Sequence, residues 1–289
     1  IPLKFILFKT PLKKNMIRYI THYRSRGTKN LIDKFFNKIF WEEFFNYLPE
    51  NEKNQIRDIT LANGEGKLWA QEYYNENFQR LEDLKSIKIG NMNNLQAEPI
   101  YEDIINFLKI QNEICTIIQI GSSSGRDLNL IRNYFPEHEY ISTDINDEIL
   151  NFQRLKYPYK NFKFYKAYAQ DIDKVIDHFS LYNKKIIIFT VGTAQYMSPS
   201  ELKLFFKKIS ELRKINLFLL EPVMISFLKD DERSSSYRHD ISYNHDYKKY
   251  AINNGLEITY SKIIKPYDEK HHIHKDTAHY YLKSLEINE

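Results

Sequence analysis

Residues 117–145 read IIQIGSSSGRDLNLIRNYFPEHEYISTDI, and this stretch decides the predicted fold. It opens with an apolar, β-branched run at 117–120, which is typical of a buried strand. The sequence GSSSG follows at 121–125, and glycine supplies the positive φ angles that a tight turn from strand to helix needs. Apolar residues at helical spacing come next, and a second strand over residues 139–143 ends at Asp144. The order of strand, turn, helix, strand and acid predicts an α/β fold.

This order of elements also predicts a binding site for a nucleoside-containing ligand. The first turn of a helix offers free N–H groups and the positive end of the helix dipole to an anion. A carboxylate at the tip of the next strand can accept hydrogen bonds from both ribose hydroxyls. Asp144 lies 23 positions after Gly121, close to the spacing of about 20 expected for such an acid. A simpler interpretation stays open, in which the glycines only form the turn of a ligand-free α/β unit.

The stretch resembles the first two motifs of the class I S-adenosylmethionine-dependent methyltransferases. That family has an acidic residue two positions before its first glycine and a GxGxG turn. In this chain Gln119 stands in place of the acid, and Ser123 stands in place of the middle glycine. The resemblance implies S-adenosylmethionine as the cofactor. It also implies a doubly wound, mostly parallel sheet of seven strands with an antiparallel last strand.

The resemblance places the cofactor on four segments of the chain. These are the turn after the first strand, the tip of the second strand, and the loops after the third and fourth strands. Asp127 is a candidate to replace the missing acid at Gln119 by contacting the ammonium group of the cofactor, and Asp171 is alternatively a cap for the next helix. The predicted cofactor-binding residues are Gly121, Ser122, Ser123, Gly125, Asp127, Asp144, Ile145, Ala169, Gln170, Asp171, Thr190 and Gly192.

The remaining periodicity divides the chain into two regions. A helix predicted over residues 97–110 begins a catalytic domain at 98–289. Further strands are predicted at 162–168, 185–189, 216–220, 256–264 and 277–285, with helices between the earlier ones. Residues 1–97 are predicted to form a helical N-terminal cap or targeting region, with amphipathic helices over residues 30–48 and 68–84.

Composition and charge limit the cellular locations and binding partners that can be expected for this protein. Its one cysteine, Cys115, excludes a disulfide within the chain, and no apolar run reaches the ~18 residues of a membrane span. Residues 1–40 carry a formal charge of +9, whereas the whole chain carries +4. This basic, partly apolar start could touch an anionic membrane surface or nucleic acid, or it could be an ordinary solvated helix face. We therefore expect a cytoplasmic protein, with contact to the inner face of the membrane as a further possibility.

Histidines close to acids are the candidate general bases. His239 precedes Asp240 and His245 precedes Asp246, in a polar, aromatic loop after the fifth strand. A carboxylate can orient a histidine ring and stabilise its charged form, so His239 or His245 is predicted to be the base, with Asp240 as a partner. A capping or hydrogen-bonding role in the loop is the alternative. The predicted acceptor-binding residues are Gln195, Tyr196, Tyr237 and Tyr243.

The acceptor itself has no motif in this sequence. Aromatic residues beside histidines would suit a sugar-like hydroxyl, so we expect O-methylation of a glycan acceptor, such as one of the bacterial cell surface. A methyltransferase acting on RNA or a small molecule, and a module that binds nucleotide without catalysis, are the alternatives; nucleic acid is the less favoured partner. His271, His272 and His274 are poorly spaced for one ion, and we predict no metal site.

Overall fold

The computed structural model describes residues 48–63, 98–212, 214–229, 233–237, 242–264 and 277–284. Its main sheet has seven strands, which in spatial order are β3 Phe162–Lys166, β2 Glu139–Asp144, β1 Cys115–Ile120, β4 Lys185–Val191, β5 Ile215–Met224, β9 Thr277–Ser284 and β8 Tyr260–Ile264. The strands β1 to β5 are parallel, whereas β9 is antiparallel to both of its neighbours, β5 and β8. The predicted fold class is confirmed, including the antiparallel insertion of the last strand.

The strands follow the predicted sequence runs closely. Two further strands, β6 Ser235–Tyr237 and β7 Tyr243–His245, lie outside the main sheet. The short strands β6 and β7 form a separate antiparallel pair within the segment that was predicted to be a loop. The predicted end of β5 at residue 220 was wrong, since the strand continues through Glu221 and Pro222. Beyond Leu220 it pairs only with β9, and proline is tolerated on such an edge.

Seven α-helices lie within the described residues. They are α1 Glu50–Asn63, α2 Glu98–Lys109, α3 Arg126–Tyr134, α4 Asp147–Lys156, α5 Ile172–His178, α6 Pro199–Glu211 and α7 Tyr247–Asn253. Helix α6 has the predicted capping box, in which Ser198 and Glu201 satisfy each other's backbone N–H groups. Helix α1 was not predicted.

The sheet separates two apolar cores. Consecutive β1 residues Ile117 and Ile118 point to opposite faces, as the pleat requires. The core on one face packs against α2 and α3, and the core on the other face packs against α5, α6 and α7. Because both faces are covered, the open carboxyl ends of the parallel strands are where a ligand can enter.

Several predictions concern residues outside those described. They are the helices over residues 30–48 (apart from Leu48) and 68–84, the basic N-terminal segment, the His239-Asp240 pair and the histidines at 271–274. Within the described ranges, no helix combines the length and apolar content that crossing a bilayer requires.

Candidate functional site

A cavity of about 550 Å³ lies at the carboxyl ends of the parallel strands. This volume is in the range of small-molecule sites, which is about 300–1,000 Å³. Of the predicted cofactor-binding residues, the cavity is lined by Gly121, Ser122, Ser123, Asp127, Asp144, Ile145, Ala169, Gln170 and Gly192. The position that the β1 turn predicts for a site therefore coincides with an actual cavity.

The turn after β1 needs its glycines for packing as well as for backbone angle. Gly121 has φ +62°, and a Cβ atom there would collide with the side chain of Thr193, in the loop after β4. Gly125 has φ +73° and would collide with Gln153 and Tyr157. Gly125 does not line the cavity. Its role is therefore to let the turn pack against Gln153 and Tyr157, not to contact a ligand.

Ser123 adopts the left-handed conformation that a glycine would adopt more easily. Its φ is +49°, and its backbone is held from two sides. The Ser123 N–H donates to Asp144 Oδ2 at 3.1 Å, and its carbonyl accepts a bond from Gln153 Nε2 at 2.6 Å. These bonds hold Ser123 in its left-handed conformation.

Asp144 is the acid at the tip of β2, as the sequence predicted, and its side chain lines the cavity while being only 9 % exposed. Oδ1 accepts from the Asn146 N–H at 3.0 Å, and Oδ2 accepts from Ser123. Each carboxylate oxygen has further lone pairs available for a ligand hydroxyl. Burial raises the pKa of Asp144 to about 6, against the opposing effect of these backbone N–H groups.

Gln119 and Asp127 form a polar pair in the same cavity. Gln119 Nε2 donates to Asp127 Oδ2 at 3.4 Å, and Arg126 donates to Asp127 Oδ1 from Nε and Nη2, each at 3.1 Å. Because a carboxylate can only accept hydrogen bonds, this contact fixes the orientation of the Gln119 amide: its nitrogen faces Asp127. The amide oxygen then remains as the acceptor for another group. That oxygen is buried, and none of the described residues donates to it. Gln119 and Asp127 together therefore offer acceptors to a cationic group.

The loops after β3 and β4 contribute only part of their predicted residues. Asp171 does not line the cavity and pairs with Lys174 at 2.9 Å. Thr190 is fully buried and donates its hydroxyl to Glu221 Oε1 at 2.7 Å, so it supports the loop from behind. Gln195 and Tyr196, predicted to bind the acceptor, line the cavity.

Helix α1 forms a wall of the cavity that sequence reasoning missed. Arg57, Asp58 and Leu61 line it. Arg57 is 5 % exposed and donates to the Tyr196 carbonyl at 2.8 Å and to both carboxylate oxygens of Glu201. The carboxylates of Glu201 and Asp58 outweigh burial and raise the pKa of Arg57 above its ordinary value. A helix from before the predicted catalytic domain thus takes part in the site.

Glu201 also reaches the loop after β3. Gln170 Nε2 donates to Glu201 Oε1 at 3.2 Å, while the Ser198 N–H donates to Oε2 at 2.8 Å. One carboxylate therefore connects α1, the start of α6 and the loop after β3. After Pro49, the polar residues Glu50, Asn54 and Arg57 follow one another at helical spacing. This polar stripe is the sequence pattern from which α1 could have been predicted.

The environment of His245 argues against its predicted role as general base. It is fully buried, does not line the cavity, and uses both ring nitrogens. Nε2 donates to the Met197 carbonyl at 3.0 Å, so Nδ1 is left to accept from Ser235 Oγ at 2.7 Å. Burial lowers the pKa of His245 to about 3, which leaves a very weak base. This is the environment of a structural histidine.

The two tyrosines predicted to contact the acceptor from the β6–β7 pair are also outside the cavity lining. Tyr237 and Tyr243 pack edge to face, with ring centroids 5.2 Å apart. His239 and Asp240 lie between these strands, in the part that the structure does not describe. In the described ranges, no cluster of three or more His, Cys, Asp or Glu side chains could hold a metal ion.

The charged residues of the cavity wall favour a cationic ligand. Two arginines and four acids line it, a formal charge of −2; they are Arg57, Arg126, Asp58, Asp127, Asp144 and Glu201. The arginines are paired with three of the acids, and only Asp144 lacks a basic partner among the described residues. Asp144 is therefore the acid most available to a bound ligand.

No protein-family model matches the chain, and no curated protein matches it. Solved structures with similar folds include a geranyl diphosphate methyltransferase in complex with GPP and sinefungin, at 10 % identity and TM-score 0.47, over 65 % of this chain and 78 % of that one. The methyltransferase domain of bacterial CtHen1-CN matches at 14 % identity and TM-score 0.46, over 66 % of this chain and all of that one. A SAM-dependent methyltransferase from Aquifex aeolicus matches at 13 % identity and TM-score 0.42, over 68 % and 97 %. Matches this distant say nothing about the reaction of this chain, which has to be inferred from its cavity.

Proposed function

We propose that this protein is an S-adenosylmethionine-dependent methyltransferase. The observation that carries the proposal is the buried carboxylate of Asp144, which lines the cavity at the tip of β2 beside the glycine turn of β1. In a parallel sheet this is the position from which an acid can bind a ribose. The order of the seven strands agrees with the family that the sequence resembles.

The residues present fit this cofactor along its whole length. Asp144 would accept from the ribose hydroxyls, and Ala169 and Gln170 would border the adenine. At the other end, the buried Gln119 oxygen and the Asp127 carboxylate would accept from the ammonium group. The negative wall of the cavity suits a ligand that carries a sulfonium. The Gln119 amide, fixed by Asp127, thus takes over part of the role of the missing acid.

When bound, the cofactor supplies an electrophilic methyl group, and the electrons of the broken carbon–sulfur bond remain on sulfur. The protein has to orient an acceptor atom and exclude water. The apolar residues Val191, Leu220 and Pro222 line the cavity at the ends of β4 and β5, and Leu61 covers it from α1. These apolar side chains would exclude water from the path by which the acceptor enters, on the β4–β5 side of the cavity, away from β2 and β3.

For the acceptor we propose a sugar-like hydroxyl, as on a glycan. Tyr168 and Tyr196 line the cavity, and their rings could stack on a sugar face. The hydroxyl proton would pass to His239, next to Asp240, since His245 is enclosed. Contact of the basic N-terminal segment with the inner face of a membrane would bring the enzyme to a lipid-linked acceptor. An amine or RNA acceptor is the alternative.

Calorimetric titration tests the cofactor assignment. We expect S-adenosylmethionine and S-adenosylhomocysteine to bind, and NAD and ATP to bind at least tenfold more weakly, since the cavity offers acceptors rather than a phosphate cradle. Tight binding of NAD or ATP, with no binding of either sulfur compound, would overturn the proposal.

A tritiated-methyl transfer screen over glycan, RNA and small-molecule fractions tests the acceptor. Label in glycan supports the sugar hydroxyl, and label in RNA alone would exclude it. Cofactor binding without transfer to any fraction would favour a non-catalytic binding module, which shares the same cavity.

A further inference from the structure

Glu221 is a fully buried carboxylate directly behind the cavity wall. Its neighbours on β5, Leu220 and Pro222, both line the cavity, whereas Glu221 points to the other face of the sheet. The strand was predicted to end here, and no role was predicted for Glu221. A buried acid normally has a basic partner, because the charged form is otherwise costly to bury.

The carboxylate is held only by neutral donors. Oε1 accepts from the Thr190 hydroxyl at 2.7 Å and from the Thr193 N–H at 3.1 Å, and Oε2 accepts from the Gln195 N–H at 3.1 Å. Thr193 and Gln195 belong to the loop after β4 and line the cavity. Glu221 therefore determines the shape of the loop that borders the acceptor side.

No charged group among the described residues compensates Glu221. From β9, Tyr280 lies opposite in register, and burial raises its pKa to about 12. From β7, His245 is neutral because its pKa is about 3. Arg57 and Glu201, bound to the far end of the same loop, pair with each other. Burial accordingly raises the pKa of Glu221 to about 7, against the opposing effect of the Ala194, Gln195 and Thr193 N–H groups and the Thr190 hydroxyl.

We infer that Glu221 is a positioning residue that also favours the sulfonium of the methyl donor over the neutral thioether of the product. This inference rests on the proposed function. An ionised carboxylate in a low-dielectric wall attracts a nearby cation and is indifferent to an uncharged sulfur. Binding of the donor thus favours ionised Glu221, whereas the spent cofactor lacks this attraction and leaves more easily.

The sign of the pH dependence follows directly. Glu221 ionises as the pH rises through about 7, so the preference for the sulfonium should grow between pH 6 and pH 8. Asp144 also titrates near this range, with a pKa of about 6. Its ribose contacts would be common to both ligands, so its effect largely cancels from the ratio of their dissociation constants.

The test is calorimetric titration of S-adenosylmethionine and S-adenosylhomocysteine into the full chain at pH 6, 7 and 8. In the wild type, the preference for the sulfonium should rise by up to about tenfold over this range, because the ionised fraction of an acid with a pKa of about 7 rises by about that factor between pH 6 and pH 8. In Glu221→Gln the preference should stay constant. Glu211→Gln, which changes an acid on α6 whose side chain is 62 % exposed, should follow the wild type.

A second variant covers the case in which Glu221→Gln fails to fold. Thr190→Val removes one donor and keeps the carboxylate, so it should move the rise in preference to higher pH. Proton release gives an independent readout: at pH 7 the sulfonium compound should release more protons than the thioether in the wild type.

A preference that does not change with pH in the wild type, a pH-dependent preference that persists in Glu221→Gln, or an unmoved rise in Thr190→Val would overturn this inference alone. If neither ligand bound at any pH, the proposed function would fall together with it.

Discussion

The Arg57 guanidinium and the Glu201 carboxylate form a partly buried ion pair between residues 144 positions apart in the chain. The pair joins α1 to the first turn of α6 and closes one side of the cavity. Glu50 and Asn54, on the same stripe of α1, bond to Ser200 and Ser198. Helix α1 is therefore attached by hydrogen bonds to the capping box of α6.

We predict that Arg57→Met destabilises the fold by about 3 kcal/mol, because it leaves Glu201 partly buried without its charge partner. Urea denaturation measures the loss. Arg154→Met, in α4, removes an exposed arginine that bonds to Asn151 and lies over the Phe164 ring, and should change stability by no more than about 1 kcal/mol. Equal effects of the two changes would contradict the assigned role of the Arg57–Glu201 pair.

Ser123→Gly should stabilise the protein by about 0.5–1 kcal/mol. The change relieves the positive φ of Ser123, at the smaller cost of a more flexible unfolded chain. It keeps the backbone bonds to Asp144 and Gln153. Ser123→Ala is the matched control, since it removes the hydroxyl but keeps the strain, and it should be close to neutral. Thermal unfolding of the wild type and the two variants measures the order of their stabilities. A glycine variant less stable than the wild type would show that the turn is not strained.

His245 should contribute to the pH dependence of stability. Its folded pKa of about 3 lies below the ordinary value of 6.5, so the folded state binds fewer protons between these values. The contribution is complete above pH 6.5 and is lost as the pH falls towards 3. The stability advantage of the wild type over His245→Gln should therefore shrink by about 2 kcal/mol between pH 7 and pH 5.

Urea denaturation at the two pH values checks this prediction. Leu155→Gln, at an exposed leucine that does not titrate, is the control and should differ from the wild type equally at both pH values. An advantage over His245→Gln that is the same at pH 5 and pH 7 would show that His245 is not buried in its neutral form.

Asp144→Asn should weaken the binding of S-adenosylhomocysteine by about 2 kcal/mol, because the charged acceptor of two hydroxyls is lost. Since burial raises the pKa of Asp144 to about 6 and ribose binding favours the ionised form, wild-type affinity should fall as the pH drops below 6. The affinity of the asparagine variant should not change over that range. Calorimetry from pH 5 to pH 8 measures both effects; a wild-type affinity unchanged at pH 5 would argue against a contact between Asp144 and ribose.

Much of the central unit could be predicted because its signals are local. The apolar run of β1, the glycine turn and Asp144 lie within 30 residues, and steric limits on the backbone and burial of alternate residues act over that distance. The register of β1 beside β2 then places Asp144 next to the turn. Ser123 stands in place of the middle glycine of the motif, and its backbone has the positive φ that glycine adopts most easily.

Helix α1 could not be recognised from apolar periodicity. It docks through polar side chains, and its partners are more than 130 residues away in sequence. The same limit applies to Glu221, whose donors Thr190, Thr193 and Gln195 lie on another strand and its loop. The residues next to each position in the sequence give no information about such long-range contacts.

The pair His245 and Asp246 shows why adjacency in sequence is a poor guide to which acid orients a histidine. The two side chains point in different directions: His245 enters the core, while Asp246 caps α7 by accepting from the Lys249 N–H at 3.0 Å. An acid next to a histidine in sequence is thus not its partner here. A general base has to be judged from the cavity lining, which His245 does not reach.

The most direct test of the central claim is a crystal structure of the full chain with S-adenosylhomocysteine bound. We predict that both ribose hydroxyls lie within hydrogen-bond distance of the Asp144 carboxylate, with the adenine beside Ala169 and Gln170 and the ammonium group at Gln119 and Asp127. A nucleoside bound elsewhere, or a ribose that makes no contact with Asp144, would contradict the account.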